Sequence, residues 1–199
     1  MYFILIAGMP CSGKSTFAEY LSNKSKLPYM SKDIIKEKLY DTVGFKSREE
    51  KNNLGLGAME ILYYFAEEEM KTGNAFIIEN NFENVSKPEL LALIKKYNYY
   101  PITVMFDGND EIIYERFIKR DQMPGRHRGH VVNTKYPEVG QAPEYVPMGL
   151  EKFKDKIEKR GWKTFDVGGT RIVVDNTDFS KINYDDIMNK IKNIAEKHI

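Results

Sequence analysis

Cysteine is almost missing from this 199-residue chain: Cys11 stands alone, so no intrachain disulfide can form, which fits a reducing, cytoplasmic setting. Three histidines and one cysteine leave too few ligands at suitable spacing for a zinc site, even though His127 and His130 sit close together. Neither sign of charge dominates. Thirty Lys and Arg against 29 Asp and Glu give a formal net charge of +1, so nothing draws the whole chain to nucleic acid or an anionic membrane. No apolar run reaches the length that spans a bilayer. The apolar start, residues 1–9, has no basic segment before it and no clean small-residue cleavage site after it, so no signal peptide is expected. Repeats and low-complexity tracts are lacking, and so is the Asn-Lys-x-Asp motif that reads guanine. Asp166-Val167-Gly168-Gly169 matches the Asp-x-x-Gly of regulatory GTPases in letters only, because it falls far too late in the chain.

What is present is Gly8-Met9-Pro10-Cys11-Ser12-Gly13-Lys14-Ser15, after the apolar run Tyr2–Ala7 and before the helical pattern that opens with Thr16. This is a phosphate-binding loop in its required order of strand, loop and helix. Gly8 and Gly13 permit a tight turn with N–H groups aimed at an anion. The helix start adds its dipole and its unpaired donors. Lys14 reaches the outer phosphates and the Ser15 hydroxyl suits Mg²⁺. Met9, Pro10, Cys11, Ser12 and Thr16 complete the cradle. Cys11, near a helix N-terminus, is read as a small loop residue rather than a redox sensor.

Down the chain, helical patterns at 13–23, 47–71, 90–97, 110–121, 150–160 and 184–197 alternate with strand candidates. A strand edge passes into a helix over 31–39, and the long helix opens with the capping box Ser47–Glu50. Gly55 and Gly57 weaken its middle enough to divide it in two. Ser86-Lys87-Pro88-Glu89 reads as a second capping box. Strands are expected at 2–7, 29–30, 75–79 and 102–106, and at 163–167 and 171–174 joined as a hairpin through Gly168-Gly169. Residues 122–149 show no periodicity and read as a long functional loop. Alternating strands and helices predict one α/β domain over 1–199: a central parallel sheet, helices on both faces, and a lid or insertion at about 121–149.

In such a sheet ligands bind where the strands end. Asp33 follows the second strand, placed to orient and deprotonate an acceptor hydroxyl. Glu79 ends the third, where an acid holds Mg²⁺ with Ser15; the usual residue there is Asp. Asn80 and Asn81 follow it as substrate contacts or turn residues, and Asp107 after the fourth strand is the weakest candidate. Arg116 and Arg120 share one helix face, and Arg126 and Arg128 follow in the loop, so the segment supplies the arginines that phosphoryl transfer requires. Tyr63, Tyr64 and Phe65 are read as acceptor-pocket or core aromatics.

On these residues the chain resembles the P-loop kinases, in particular the AAA-33 group with its relatives of polynucleotide kinase, zeta toxin and chloramphenicol phosphotransferase. The resemblance implies the three-layer P-loop NTPase fold with strand 1 between strands 3 and 4. It also implies ATP with Mg²⁺ as cofactors and transfer of the γ-phosphate to an acceptor hydroxyl. It matches Gly8, Gly13, Lys14 and Ser15 to the phosphate loop, Asp33 to the acceptor-activating acid, Arg116, Arg120 and Arg126–Arg128 to the lid, and Asn176-Thr177-Asp178 loosely to the adenine contacts. The expected partner is a small or nucleotide-like acceptor. Two alternatives stay open: a kinase for the 5′-hydroxyl of nucleic acid, and a nucleotide-dependent binding or toxin-like module without turnover.

Overall fold

The computed structural model describes residues 1–138, 140 and 145–198. Five strands form one parallel sheet in the order β2-β3-β1-β4-β5. They are β1 (Tyr2–Gly8), β2 (Tyr29–Ser31), β3 (Ile77–Glu79), β4 (Tyr100–Asp107) and β5 (Thr170–Asp175). Strand 1 lies between strands 3 and 4, as the resemblance implies. The helices are α1 (Lys14–Ser25), α2 (Lys32–Thr42), α3 (Arg48–Lys71), α4 (Lys87–Tyr97), α5 (Asp110–Asp121), α6 (Arg128–Val131), α7 (Leu150–Arg160) and α8 (Tyr184–Ala195).

Alternation along the strands builds two core layers. Phe3, Leu5, Ala7, Phe76, Ile78 and Met105 point to one face, where α3 and α4 cover them with Met59, Leu62, Ala66, Leu90 and Leu93. Ile4, Ile6, Ile77, Ile102, Val104 and Phe106 point to the other, under Phe17 and Leu21 of α1 and Ile187 and Ile191 of α8. Because both faces are covered, the strands read as continuous apolar runs. A third cluster joins Met9 of the loop to Ile113 of α5 and to Phe153 and Ile157 of α7.

Three expectations are corrected. First, α3 is one helix, capped by Ser47 Oγ accepting from the Glu50 amide at 3.1 Å. Gly55 and Gly57 do not break it, because packing of its buried face outweighs about 1 kcal/mol of poor propensity per glycine. Second, Ser86 does not cap α4: its hydroxyl donates to the Glu83 carbonyl at 2.6 Å and accepts from the Glu83 amide at 3.2 Å, closing a short 3₁₀ turn before α4. Third, residues 163–167 form no strand and there is no hairpin. Phe165 and Val167 are buried in the first core layer, with Phe165 stacked on Phe82 at 5.2 Å. Gly169, at φ 68°, passes so close beneath Pro101 that a Cβ would lie 2.1 Å from its carbonyl oxygen, and the chain enters β5 parallel to β4.

The 122–149 segment is more ordered than its sequence implies, although 139 and 141–144 lie outside the described residues. Its first part folds over α2: α6 packs there, and Phe45 and Tyr136 exchange backbone hydrogen bonds of 2.8 Å in an antiparallel bridge. Tyr40, Phe45 and Val132 are buried in the cluster this creates.

Candidate functional site

β1 delivers Gly8 to the carboxyl edge of the sheet. Its φ is 123°, and a Cβ there would sit 2.0 Å from the Phe106 carbonyl oxygen, so only glycine passes. Cys11 (φ 61°) and Gly13 (φ 86°) are also left-handed, which curls the loop so that its amides converge on one concavity. α1 starts at Lys14 with no side-chain cap, leaving its first N–H groups for an anion. Lys14 is buried and its Nζ donates to the Met9 carbonyl at 2.6 Å. Burial pushes its pKa down, and Glu79 and Asp33 oppose that shift. The Ser12 hydroxyl is buried with no partner among the described residues.

Glu79 ends β3 facing this loop, 4% exposed, with the Ser31 hydroxyl donating to its carboxylate at 2.5 Å. Burial raises its pKa; Lys14 and hydrogen bonds from Ser31 and Ser15 pull the other way, and Asp33 adds to the rise. A buried, electron-rich carboxylate beside the Ser15 hydroxyl is an oxygen-only donor pair of the kind Mg²⁺ takes when phosphates supply the remaining ligands, so these residues fit the metal. Asp33, in the first turn of α2, opens into the same cleft with half of its side-chain surface exposed and Lys36 Nζ 3.3 Å away. The cleft walls desolvate it, but the charges of Lys36, Arg126 and Lys14 outweigh that and hold its carboxyl below the usual range.

The arginines divide into three roles by place. Arg116 donates to the carbonyls of Asn176 and Thr177 at 2.6 and 2.8 Å and lies over the Phe179 ring at 3.8 Å. It thereby ties α5 to the segment that follows β5. Arg120 and Arg126 share Asp121, at 3.7 and 3.4 Å, while the Nε of each is buried without a hydrogen-bond partner among the described residues. Arg128 points elsewhere: its fork is closed on Glu138 by bonds of 2.7 and 2.6 Å. Asn176 links the last strand to the loop, its side chain donating to the Ser12 carbonyl at 3.0 Å.

A cavity of about 540 Å³ brings most of these groups together: the loop from Pro10 to Thr16, Asp33, Glu79, and Arg116, Arg120 and Arg126. Beside it lies a second of about 840 Å³, and Lys36, His130, Lys156 and Arg160 line both. Of the aromatic trio, Tyr63 lines the second cavity, Tyr64 is exposed, and Phe65 packs on Phe76. Asn81 reaches the first cavity and Asn80 the second. Asp107 belongs to neither; Lys163 bridges it and Asp110 at 3.2 and 2.6 Å.

His130 is nearly closed off, with Nε2 2.9 Å from Glu37. Burial lowers its pKa against the pull of Asp33, with Arg126, Lys36 and Arg120 adding to the drop, so the ring is neutral. Lys51 holds the covering segment from α3, donating to the carbonyls of His130 and Val132 and to Asn133 Oδ1. Burial first, then Arg48, Lys36 and Arg126, push its pKa down to about 7. Sequence reasoning missed Lys36, Lys156, Arg160 and Phe179. Lys36 alone had a signal, one helical turn after Asp33; the others come from distant segments.

A family model of the AAA domain matches residues 4–138. Among solved structures, a protein from Chloroflexus aurantiacus provisionally described as a kinase superposes with a TM-score of 0.74 at 21% identity, covering 100% of this chain and 97% of that one. A shikimate kinase from Aquifex aeolicus matches at 0.53 and 18%, covering 98% and 96%. A gluconokinase from Sinorhizobium meliloti matches at 0.53 and 12%, covering 99% and 93%. At these identities the likeness is one of fold. A comparison with curated proteins finds no match.

Proposed function

The chain belongs to the AAA domain family, and on that premise we propose that it is an ATP-dependent phosphotransferase that moves the γ-phosphate to a hydroxyl of a small or nucleotide-like acceptor. The observation that carries this reading is the pair of joined cavities. One runs from the loop Pro10–Thr16 past Lys14 to Asp33; the other adjoins it and has room for a second molecule. The kinase descriptions of the structural neighbours agree with it, and so does the place of Asp33 for the finer kinship with the polynucleotide kinase, zeta toxin and chloramphenicol phosphotransferase group. Among the described residues no helix is long and apolar enough to cross a membrane.

In this reading the loop amides and Lys14 hold the triphosphate, with the adenine lying toward Arg116 and Phe179. Ser15 and Glu79 would hold Mg²⁺, which when bound would supply positive charge to the phosphates. Asp33 orients the acceptor hydroxyl. With its pKa held low, it takes the proton only as the oxygen bonds to phosphorus and becomes acidic. Lys14, Arg120 and Arg126 give donors to the charge spread over the equatorial oxygens. Arg128 braces the covering segment through Glu138. A pure binding module has no need of Asp33 at the mouth of the phosphate site. The test is Lys14→Ala: nucleotide affinity and ADP release should both collapse, and unaltered turnover refutes the assignment of the loop.

A further inference from the structure

The second cavity has an unbalanced wall. Lys32 opens α2 and Arg48 opens α3, so two cations occupy first turns where the helix dipole disfavours positive charge. Lys156 and Arg160, one turn apart on α7, face the same space. Arg160 has a counter-ion in Glu83, 2.5 Å away. Among the described residues Arg48 meets only the neutral amide of Asn133, which uses one of its five donors. Lys32 and Lys156 are half-buried and, among the described residues, have neither an ion-pair nor a hydrogen-bond partner. The cations act on one another: burial lowers the pKa of Lys32, with Lys36 and Arg160 adding to the drop while Glu83 and Asp33 oppose it, and burial lowers that of Lys156, helped by Arg160 and Arg48. Such crowding opposes folding unless an anion relieves it. Acids do line the cavity, but Glu60 and Glu89 stand by Tyr63, and Asp121 is taken by Arg120 and Arg126.

We propose that the acceptor carries a phosphate group, bound by Lys32, Arg48 and Lys156 in the second cavity, in addition to the hydroxyl presented to Asp33. This rests on the kinase reading and narrows its substrate class. A dianion with several oxygens matches cations brought to one cavity by three helices, and Met59 and Tyr63, which line the same cavity, offer an apolar surface for the body of the molecule. In the transfer, the acceptor oxygen bonds to the γ-phosphorus, the bond from that phosphorus to the β-phosphate oxygen breaks, ADP leaves, and the hydroxyl proton passes to Asp33 and then to water. The product is a bisphosphorylated molecule, and its precursor comes from a reaction that itself installs a phosphate monoester.

The test has two arms. In the first, inorganic phosphate is titrated by calorimetry into protein saturated with a non-hydrolysable ATP analogue and Mg²⁺, so that only the second cavity is free. Saturable binding is expected, weakened at least tenfold in Lys32→Gln and in Lys156→Gln. Absence of binding, or binding unchanged in both variants, overturns the proposal. In the second arm, ADP release is scored over background with nucleoside 5′-monophosphates and sugar monophosphates, their neutral parents, matched carboxylates, and an oligonucleotide. Turnover with a phosphorylated small acceptor, with KM raised at least tenfold in Lys32→Gln and ATP affinity retained, is expected. A preference for neutral, carboxylate or polymeric acceptors overturns it. Failure of the parent reading looks different: the ATP analogue itself would then not bind to the wild-type loop.

Discussion

Replacing Arg126 and Arg128 separately distinguishes two arginines that lie two residues apart. Arg126 is 16% exposed, with Nε buried 3.4 Å from the Asp121 carboxylate and without a hydrogen bond among the described residues, and its charge is felt by Asp33 across the cleft. Arg128 is 41% exposed and its fork is closed on Glu138. Removing a preorganised donor from developing phosphoryl charge costs about 10²–10³ in rate, or roughly 3–4 kcal/mol. Arg126→Ala should therefore lower kcat for basal ATP hydrolysis, transfer to water that needs no acceptor, by that factor. Its ion pair with Asp121 is partly replaced by Arg120, so the loss in stability should stay near 1 kcal/mol, about 2–4 °C in Tm for a domain of this size. Arg128→Ala breaks an outlying pair worth about 0–1 kcal/mol and should leave kcat within about threefold. The assay is coupled ADP release, with thermal unfolding on the same samples. If Arg128→Ala loses more kcat than Arg126→Ala, the placing of the catalytic charge in the first cavity is wrong.

Other outcomes follow from backbone geometry and burial. Cys11 sits at φ 61°, so Cys11→Gly should keep nucleotide affinity while the β-branched Cys11→Val loses it; equal affinities in a titration with an ATP analogue would count against the curled cradle. Gly8→Ala drives a methyl against the Phe106 carbonyl and should cost several kcal/mol in chemical denaturation, whereas Gly55→Ala, where a Cβ meets nothing within 4 Å, should gain about 0.5–1 kcal/mol. The neutral His130 has a folded pKa below its unfolded value near 6.5, so the unfolded chain binds the extra proton first and stability is lost as pH falls below about 6.5. The wild type should lose up to about 2 kcal/mol more than His130→Gln between pH 6.5 and 5, read from denaturation midpoints; parallel curves would show that the ring is already charged in the fold.

How far the sequence speaks depends on whether a signal is local. The phosphate loop is local in every respect: glycines where the backbone needs them, lysine and serine at fixed spacing, a buried strand before and a helix after. It was fully legible, and so was the alternation that makes the parallel sheet. Residues 163–167 were misread because β-prone residues that bury individually, Phe165 and Val167, look the same in a strand and in a loop pressed against a core. The unbroken α3 was hidden because propensity counts Gly55 and Gly57 against it, while the packing of Met59, Leu62 and Ala66 on the sheet is a tertiary fact. Arginines in the covering segment were legible as a group, since phosphoryl chemistry asks for them. Which of them faces the cleft depends on Glu138, ten residues downstream, and on carbonyls beyond β5, and no local pattern records those contacts. The cationic wall is the extreme case, assembled from the starts of α2 and α3 and the middle of α7.

Asp33 gives the most direct test of the central claim, that Gly8–Ser15 hold the donor of a phosphoryl transfer whose acceptor meets this carboxylate. Asp33→Asn keeps size and polarity but removes the charge that orients and receives the proton. Transfer of radiolabelled γ-phosphate to the acceptor should fall by about 10²–10⁴ in kcat while affinity for the ATP analogue changes by less than a few-fold. Undiminished transfer in Asp33→Asn, or a loss confined to ATP binding, would contradict the account.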